Sequence, residues 1–199
     1  EEPCISGKNG SGTIFFSGCS LRCVFCQNAE ISRNKFGRQV NKDEFIEIVK
    51  KLEEKGANNI NLVNPTHFTP FIKECLEEYK PKIPVVYNTG GYDLVSSVKE
   101  LDGLIDVYLP DLKYITPEIS KKYSAAENYF EYASKALAEM YRQTGKCAFD
   151  ENGIIKSGMI IRHLVLPANI EESYKVIDWI SKSFPNDVYV SLMSQYTPM

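Results

Sequence analysis

Thr13-Ile14-Phe15-Phe16-Ser17-Gly18-Cys19-Ser20-Leu21-Arg22-Cys23-Val24-Phe25-Cys26-Gln27-Asn28 is the stretch that decides how this chain reads. It opens on a β-branched and aromatic run bounded by Gly12 and Gly18, which spells a strand over residues 13–16. Cys19, Cys23 and Cys26 follow with C-x3-C-x2-C spacing, on a loop at the strand's carboxyl end. Thiolates are the usual ligands of iron–sulfur clusters, and a short loop can wrap one cluster. Three ligands would leave one iron of a four-iron cluster open to a substrate or cofactor. The competing reading is structural zinc, which normally takes four closed ligands in paired spacings. Cys4 is its plausible fourth ligand, because His67 lies far along the chain.

Outward from this stretch, strands alternate with amphipathic helices. Asn41 caps a helix with Glu44 in capping-box position, and Phe45, Ile48, Val49 and Leu52 follow at helical spacing to a stop at Gly56. Ile60 and Leu62 mark a second strand, after which Thr69-Pro70 opens a helix striped by Phe71, Ile72, Cys75, Leu76 and Tyr79. A third strand covers residues 83–87, with a helix after Tyr92. The fourth covers residues 105–109 and ends at Pro110-Asp111. Thr116-Pro117 starts a helical region running to about Tyr141, and Asn152-Gly153 makes a tight turn. A fifth strand over 159–166, a helix over 171–182 and a sixth strand over 188–193 complete the series. Six such alternations call for a parallel sheet, as a barrel-like roll or an open doubly wound sheet. In both, reactive groups gather at the carboxyl ends of the strands.

The chain has 199 residues, 43% hydrophobic and 25% charged, which suits one soluble domain over residues 1–199. Its net charge of −3 without a dense Lys/Arg block argues against nucleic acid and anionic membranes as partners. No apolar run approaches the ~20 residues of a membrane span. Glu1-Glu2-Pro3-Cys4 lacks a signal pattern, so a cytoplasmic location is expected. The sequence begins without Met and stops at Met199 just after a strand, as a fragment or trimmed form of a longer chain would. Of the remaining cysteines, Cys75 sits on an apolar helical stripe, and Cys4 and Cys147 are scattered. Gly7-Lys8-Asn9-Gly10-Ser11-Gly12 has the wrong order for a phosphate loop and is read as a loop beside the cysteines.

The cysteine motif, with an aromatic residue before its last cysteine and its place after the first strand, resembles that of radical S-adenosylmethionine (SAM) enzymes. The wider chain is similar to the pyruvate formate-lyase activating enzyme branch across residues 12–28, 61–67, 85–92, 109–114 and 161–167. The resemblance implies a partial (β/α)6 TIM-like barrel with a [4Fe–4S] cluster on Cys19, Cys23 and Cys26 at its carboxyl end. SAM would bind the open iron, and one electron would cleave it to methionine and a 5′-deoxyadenosyl radical that abstracts hydrogen from a substrate. Implied partners are a reductant such as flavodoxin or ferredoxin and a peptide or protein substrate, for example a glycyl-radical loop. Two other readings stand beside it. One is a non-enzymatic electron-transfer or zinc protein closed by Cys4; the other is a barrel enzyme using Asp111 and Lys113 as acid and base.

The resemblance also assigns residues. Phe25 lies by the cofactor. Asn64 and Thr66, in Asn64-Pro65-Thr66-His67, stand where the family carries Gly-Gly-Glu near the SAM amino group. Asn88-Thr89-Gly90-Gly91 resembles the family's Asp-Thr-Asn-Gly, beside SAM and a monovalent cation, with Asn88 in place of Asp. Asp111-Leu112-Lys113 resembles the activating enzymes' Asp-Leu-Lys, and alternation lets both charges point into the barrel mouth. Arg162 and His163 are adjacent on a strand, so at most one faces inward, and the resemblance favours Arg162. Ser191 and Gln195 complete the SAM side, with Tyr196 near the place of a family histidine.

Overall fold

The computed structural model describes residues 2–34, 36–184, 186 and 188–196. Its first half runs α1 Pro3–Ser6, β1 Gly12–Phe15, α2 Ala29–Asn34, α3 Lys42–Glu54, β2 Ile60–Val63, α4 Thr69–Glu78 and β3 Val85–Thr89. Its second half runs α5 Val95–Lys99, β4 Val107–Pro110, α6 Pro117–Ser124, α7 Tyr129–Thr144, β5 Ala148–Phe149, β6 Ile155–Leu164, α8 Ile170–Ser183 and β7 Tyr189–Met193. β1, β2, β3, β4, β6 and β7 pair in parallel in that order. β5 joins β6 antiparallel. Among the described residues β1 pairs only with β2 and β7 only with β6, so the roll stays open between them. This is the partial barrel, not the doubly wound sheet.

Local chemistry sets the elements. Asn41 accepts from the Glu44 amide at 2.9 Å while Glu44 accepts from the Asn41 amide at 2.9 Å, the reciprocal capping box expected for α3. Two expectations shift. The helical region after Thr116 is two helices, because Ala125 turns left-handed at φ 56° and ends α6. The fifth strand of the sequence reading starts earlier, at Ile155, because a hairpin turn feeds it from β5. There the Asp150 carboxylate accepts from the Asn152 and Ile154 amides, both at 2.9 Å. A side chain at Gly158 would put its Cβ 2.5 Å from the Cys147 Cα, so only glycine lets β5 lie across β6.

Strand alternation divides the core in two. One face packs Tyr87, Tyr108, Met159 and Ile161 into the helix layer. The other packs Val86, Val107, Leu109 and Ile160 in the barrel interior, around Ile5 of α1. α1 therefore plugs the N-terminal end. Asn58 donates to the Ser6 carbonyl at 2.6 Å and Asn59 to the Ile5 carbonyl at 2.7 Å, fastening the plug to the start of β2. Residues 7–12 consequently run past the N-terminal ends of the strands, not beside the cysteines. Chain order requires this, since they lead into β1 while the cysteines follow it.

Candidate active site

At the opposite end, the strand termini and the cysteine loop surround a cavity of about 260 Å3. Cys19, Cys23, Phe25 and Cys26 line it from the loop, and Asn64, Asn88 and Thr89 from the ends of β2 and β3. Asp111 and Lys113 after β4, Arg162 on β6 and Gln195 after β7 complete its polar side. Phe15, Phe16, Val63, Leu164 and Met193 give it an apolar flank. Phe25 is buried and its ring lies 6.0 Å from that of Tyr196.

The cysteine loop is held by the backbone of α6. The Arg22 amide donates to the Ser124 carbonyl and the Val24 amide to the Tyr123 carbonyl, both at 2.9 Å. Arginines tighten it from outside: Arg22 Nη1 donates to the Cys19 carbonyl at 2.9 Å, and the Arg33 guanidinium to that of Cys23. Asn64, in a left-handed turn at φ 58°, donates its amide to the Gly18 carbonyl. Two hydroxyls meet the sulfurs: Ser124 Oγ lies 3.0 Å from Cys23 Sγ, and Ser32 Oγ lies 3.3 Å from Cys26 Sγ. Burial pushes the Cys19 thiol up.

Among the described residues no three Cys, His, Asp or Glu side chains converge closely enough to share one metal ion. Three thiols around a cavity without that convergence suit a multi-iron cluster, in which each sulfur meets its own iron, better than zinc. Cys4 cannot close the set. It packs with Ile5, Cys147 and Ile155 at the plugged end of the barrel, which corrects the zinc alternative.

A charge cluster faces the sulfurs. Arg162 Nε is 2.8 Å from Asp111 Oδ1, Arg162 Nη2 donates to Asn88 Oδ1 at 2.6 Å, and Lys113 Nζ donates to Asp111 Oδ2. Burial pushes the Asp111 carboxyl up, but the Arg162 and Lys113 charges more than offset this and hold it below the usual range. Burial pulls Lys113 down, and Asp111 more than restores it, so the ammonium is held above its ordinary value. The Arg162–Asp111 contact is close but misaligned, leaving Asp111 Oδ1 and Arg162 Nε buried without a hydrogen bond. The two atoms still compensate each other's charge at that distance. The positive charge between Asn88 and Asp111 comes from Arg162, where the resemblance implied a monovalent cation. Gly91, at φ 79°, brings the turn after β3 so close that a Cβ would sit 2.1 Å from the Asp111 carbonyl oxygen.

The structure separates the adjacent pair on β6. Arg162 faces the cavity. His163 is buried under α8, with Nδ1 2.7 Å from the Leu112 carbonyl and Nε2 2.9 Å from Ser173 Oγ, and burial lowers its pKa. Two expected residues fall outside the cavity. Ser191 Oγ donates to the Glu2 carboxylate at 3.2 Å. Thr66 lies in a short 3-10 turn, 3.3 Å from Thr89 Oγ1, and lines a second cavity with His67, Tyr92 and Asp93. Asp93 is buried, accepts from Thr89 at 2.6 Å and from Tyr87 at 3.2 Å, and burial raises its pKa. Sequence reasoning missed Asp93, Ser32, Ser124 and Tyr114. Tyr114 Oη is 2.8 Å from Ser124 Oγ. Their only sequence signal is a polar residue at a buried helical or post-strand position.

A six-stranded parallel partial barrel with a three-cysteine loop at its carboxyl end defines a class, and the comparisons agree. The family model of the Radical SAM superfamily matches residues 13–180, and the chain belongs to that superfamily. It is 34% identical over 198 residues to "Uncharacterized protein MJ0674" of Methanocaldococcus jannaschii, covering 94% of this chain and 54% of the relative. The chain thus spans about half the length of the curated relative it matches. Streptococcus suis SuiB bound to precursor peptide SuiA superposes with a TM-score of 0.65 at 14% identity, over 92% of this chain and 39% of SuiB. The radical SAM methyltransferase TsrM of Kitasatospora setae, with cobalamin and a [4Fe-4S] cluster bound, gives 0.65 at 15% identity, over 96% of this chain and 38% of TsrM. The AdoMet-bound enzyme anSMEcpe gives 0.61 at 18%, covering 94% and 52%. These structures share the fold. Among the described residues no helix is long and apolar enough to cross a membrane.

Proposed function

We propose that this chain is an enzyme that reductively cleaves SAM at a [4Fe–4S] cluster held by Cys19, Cys23 and Cys26. The observation that carries the reading is the placement of all three cysteines on one cavity, opposite the buried Asp111–Arg162–Lys113 cluster. When bound, the cluster would supply the electron for reductive cleavage of a C–S bond of SAM, to methionine and a 5′-deoxyadenosyl group. The chain's residues bind and orient. Asp111, Arg162 and Gln195, which line the cavity, would meet the amino and carboxylate groups of SAM. Asn88 holds the guanidinium in place. Phe25 and the apolar flank would exclude water from the reacting groups. Lys113 balances Asp111 and faces the substrate side; its paired, raised ammonium makes it a charge anchor and not a base.

The opening between β1 and β7 suits an extended peptide or a glycyl-radical loop as substrate. A small electron carrier such as flavodoxin or ferredoxin supplies the reductant. We place the chain in the cytoplasm, where thiols stay reduced. The test is anaerobic reconstitution, reduction and addition of SAM. Four irons per chain and 5′-deoxyadenosine are expected, with both lost in Cys23→Ala; no 5′-deoxyadenosine from fully loaded protein would overturn the proposal.

A further inference from the structure

We propose that the Ser124 and Ser32 hydroxyls, donating to the sulfurs of Cys23 and Cys26, set how reducing the cluster is, with Tyr114 reinforcing Ser124. The inference rests on the cluster reading above. Ser124 is fully buried at the end of α6, and Ser32 is buried on α2. Ser124 Oγ has two partners, Cys23 Sγ at 3.0 Å and Tyr114 Oη at 2.8 Å, but only one proton. A cysteine bound to iron is a thiolate and has no proton to give. Ser124 must therefore donate to the sulfur, and Tyr114 must donate to Ser124. Burial pushes the Tyr114 phenol well up, so that proton stays in place. The same argument orients Ser32 towards Cys26 at 3.3 Å.

The direction of the effect follows. Reduction adds negative charge to the cluster and its sulfurs, and an O–H donor stabilises the more negative state more. Each hydroxyl thus raises the potential, and a donor in series polarises the next. Among the described residues no hydroxyl meets the Cys19 sulfur, so the tuning acts on two of the three ligands. These serines are positioning residues. They act through the sulfurs of Cys23 and Cys26.

The experiment is an anaerobic redox titration of the reconstituted protein, following the reduced cluster by electron paramagnetic resonance. Ser124→Ala and Ser32→Ala should shift the midpoint to more negative potential. At the wild-type midpoint their reduced-to-oxidised ratio should fall roughly two- to tenfold, the equivalent of one net hydrogen bond. Tyr114→Phe should shift less, and the Ser124→Ala/Tyr114→Phe double variant no further than Ser124→Ala alone, because Tyr114 acts through Ser124. Fully loaded serine variants at the wild-type midpoint would overturn the inference while leaving SAM cleavage standing. Should Ser124→Ala fail to load, an unshifted Ser32→Ala or Tyr114→Phe overturns it equally. A wild type that binds no iron and sulfide would overturn the cluster reading, and this one with it.

Discussion

The two ends of the barrel are built from the same strands, one inward step apart. At the plugged end the inward residues are Val86, Leu109 and Ile160, packed on Ile5. Two residues further along each strand they become Asn88, Asp111 and Arg162, the polar wall of the cavity. Alternation keeps both sets on the same face, so the switch from apolar to charged happens within ~7 Å of rise. Stability and chemistry are thus separated by height in the barrel and not by domain.

The comparison breaks most sharply at Asp111. Asp111→Asn leaves Arg162 and Lys113 buried without their carboxylate and should cost about 3–5 kcal/mol in chemical denaturation. Because the folded carboxyl is held below its usual value, its contribution is present above about pH 4 and is lost as pH falls through the depressed pKa. The wild type's advantage over Asp111→Asn should accordingly narrow in acid; an advantage independent of pH would contradict the ion-pair account. At the other end, Ile5→Ala should cost about 2–4 kcal/mol by emptying the plug, with iron loading unchanged. Loss of iron at that position would show that the ends are coupled. The smallest effect belongs to His163. Burial lowers its pKa, so the folded state binds fewer protons than the unfolded chain, whose histidine titrates near about 6.5. Its contribution is whole above that value and is lost as pH falls towards the folded pKa, with a slope below about 1.4 kcal/mol per pH unit. His163→Gln should flatten that slope.

Much of this contrast was legible in the sequence. The strand–helix rhythm gave the parallel sheet, the C-x3-C-x2-C spacing marked the loop, and period-two alternation put Asp111 and Lys113 on one face and split Arg162 from His163. Contacts between distant segments were not legible. Ser124 reaches Cys23 only because α6 ends early at Ala125, and no local pattern announces that break. α1 is four residues long, too short for periodicity, so nothing along the chain sent Ile5 into the barrel. Ser191 stands in register with Arg162, but its hydroxyl is taken by Glu2, a contact from the far end of the sequence.

The pairing of Arg22 and Val24 with the last carbonyls of α6 has a consequence for breathing motions. Those two amides are sealed by a helix end, not by their own loop. Segment 22–24 therefore opens to solvent only when residues 123–124 let go. Amide exchange across the cysteine loop should keep time with the C-terminal turn of α6, a segment 101 residues away in sequence at the Cys23–Ser124 contact.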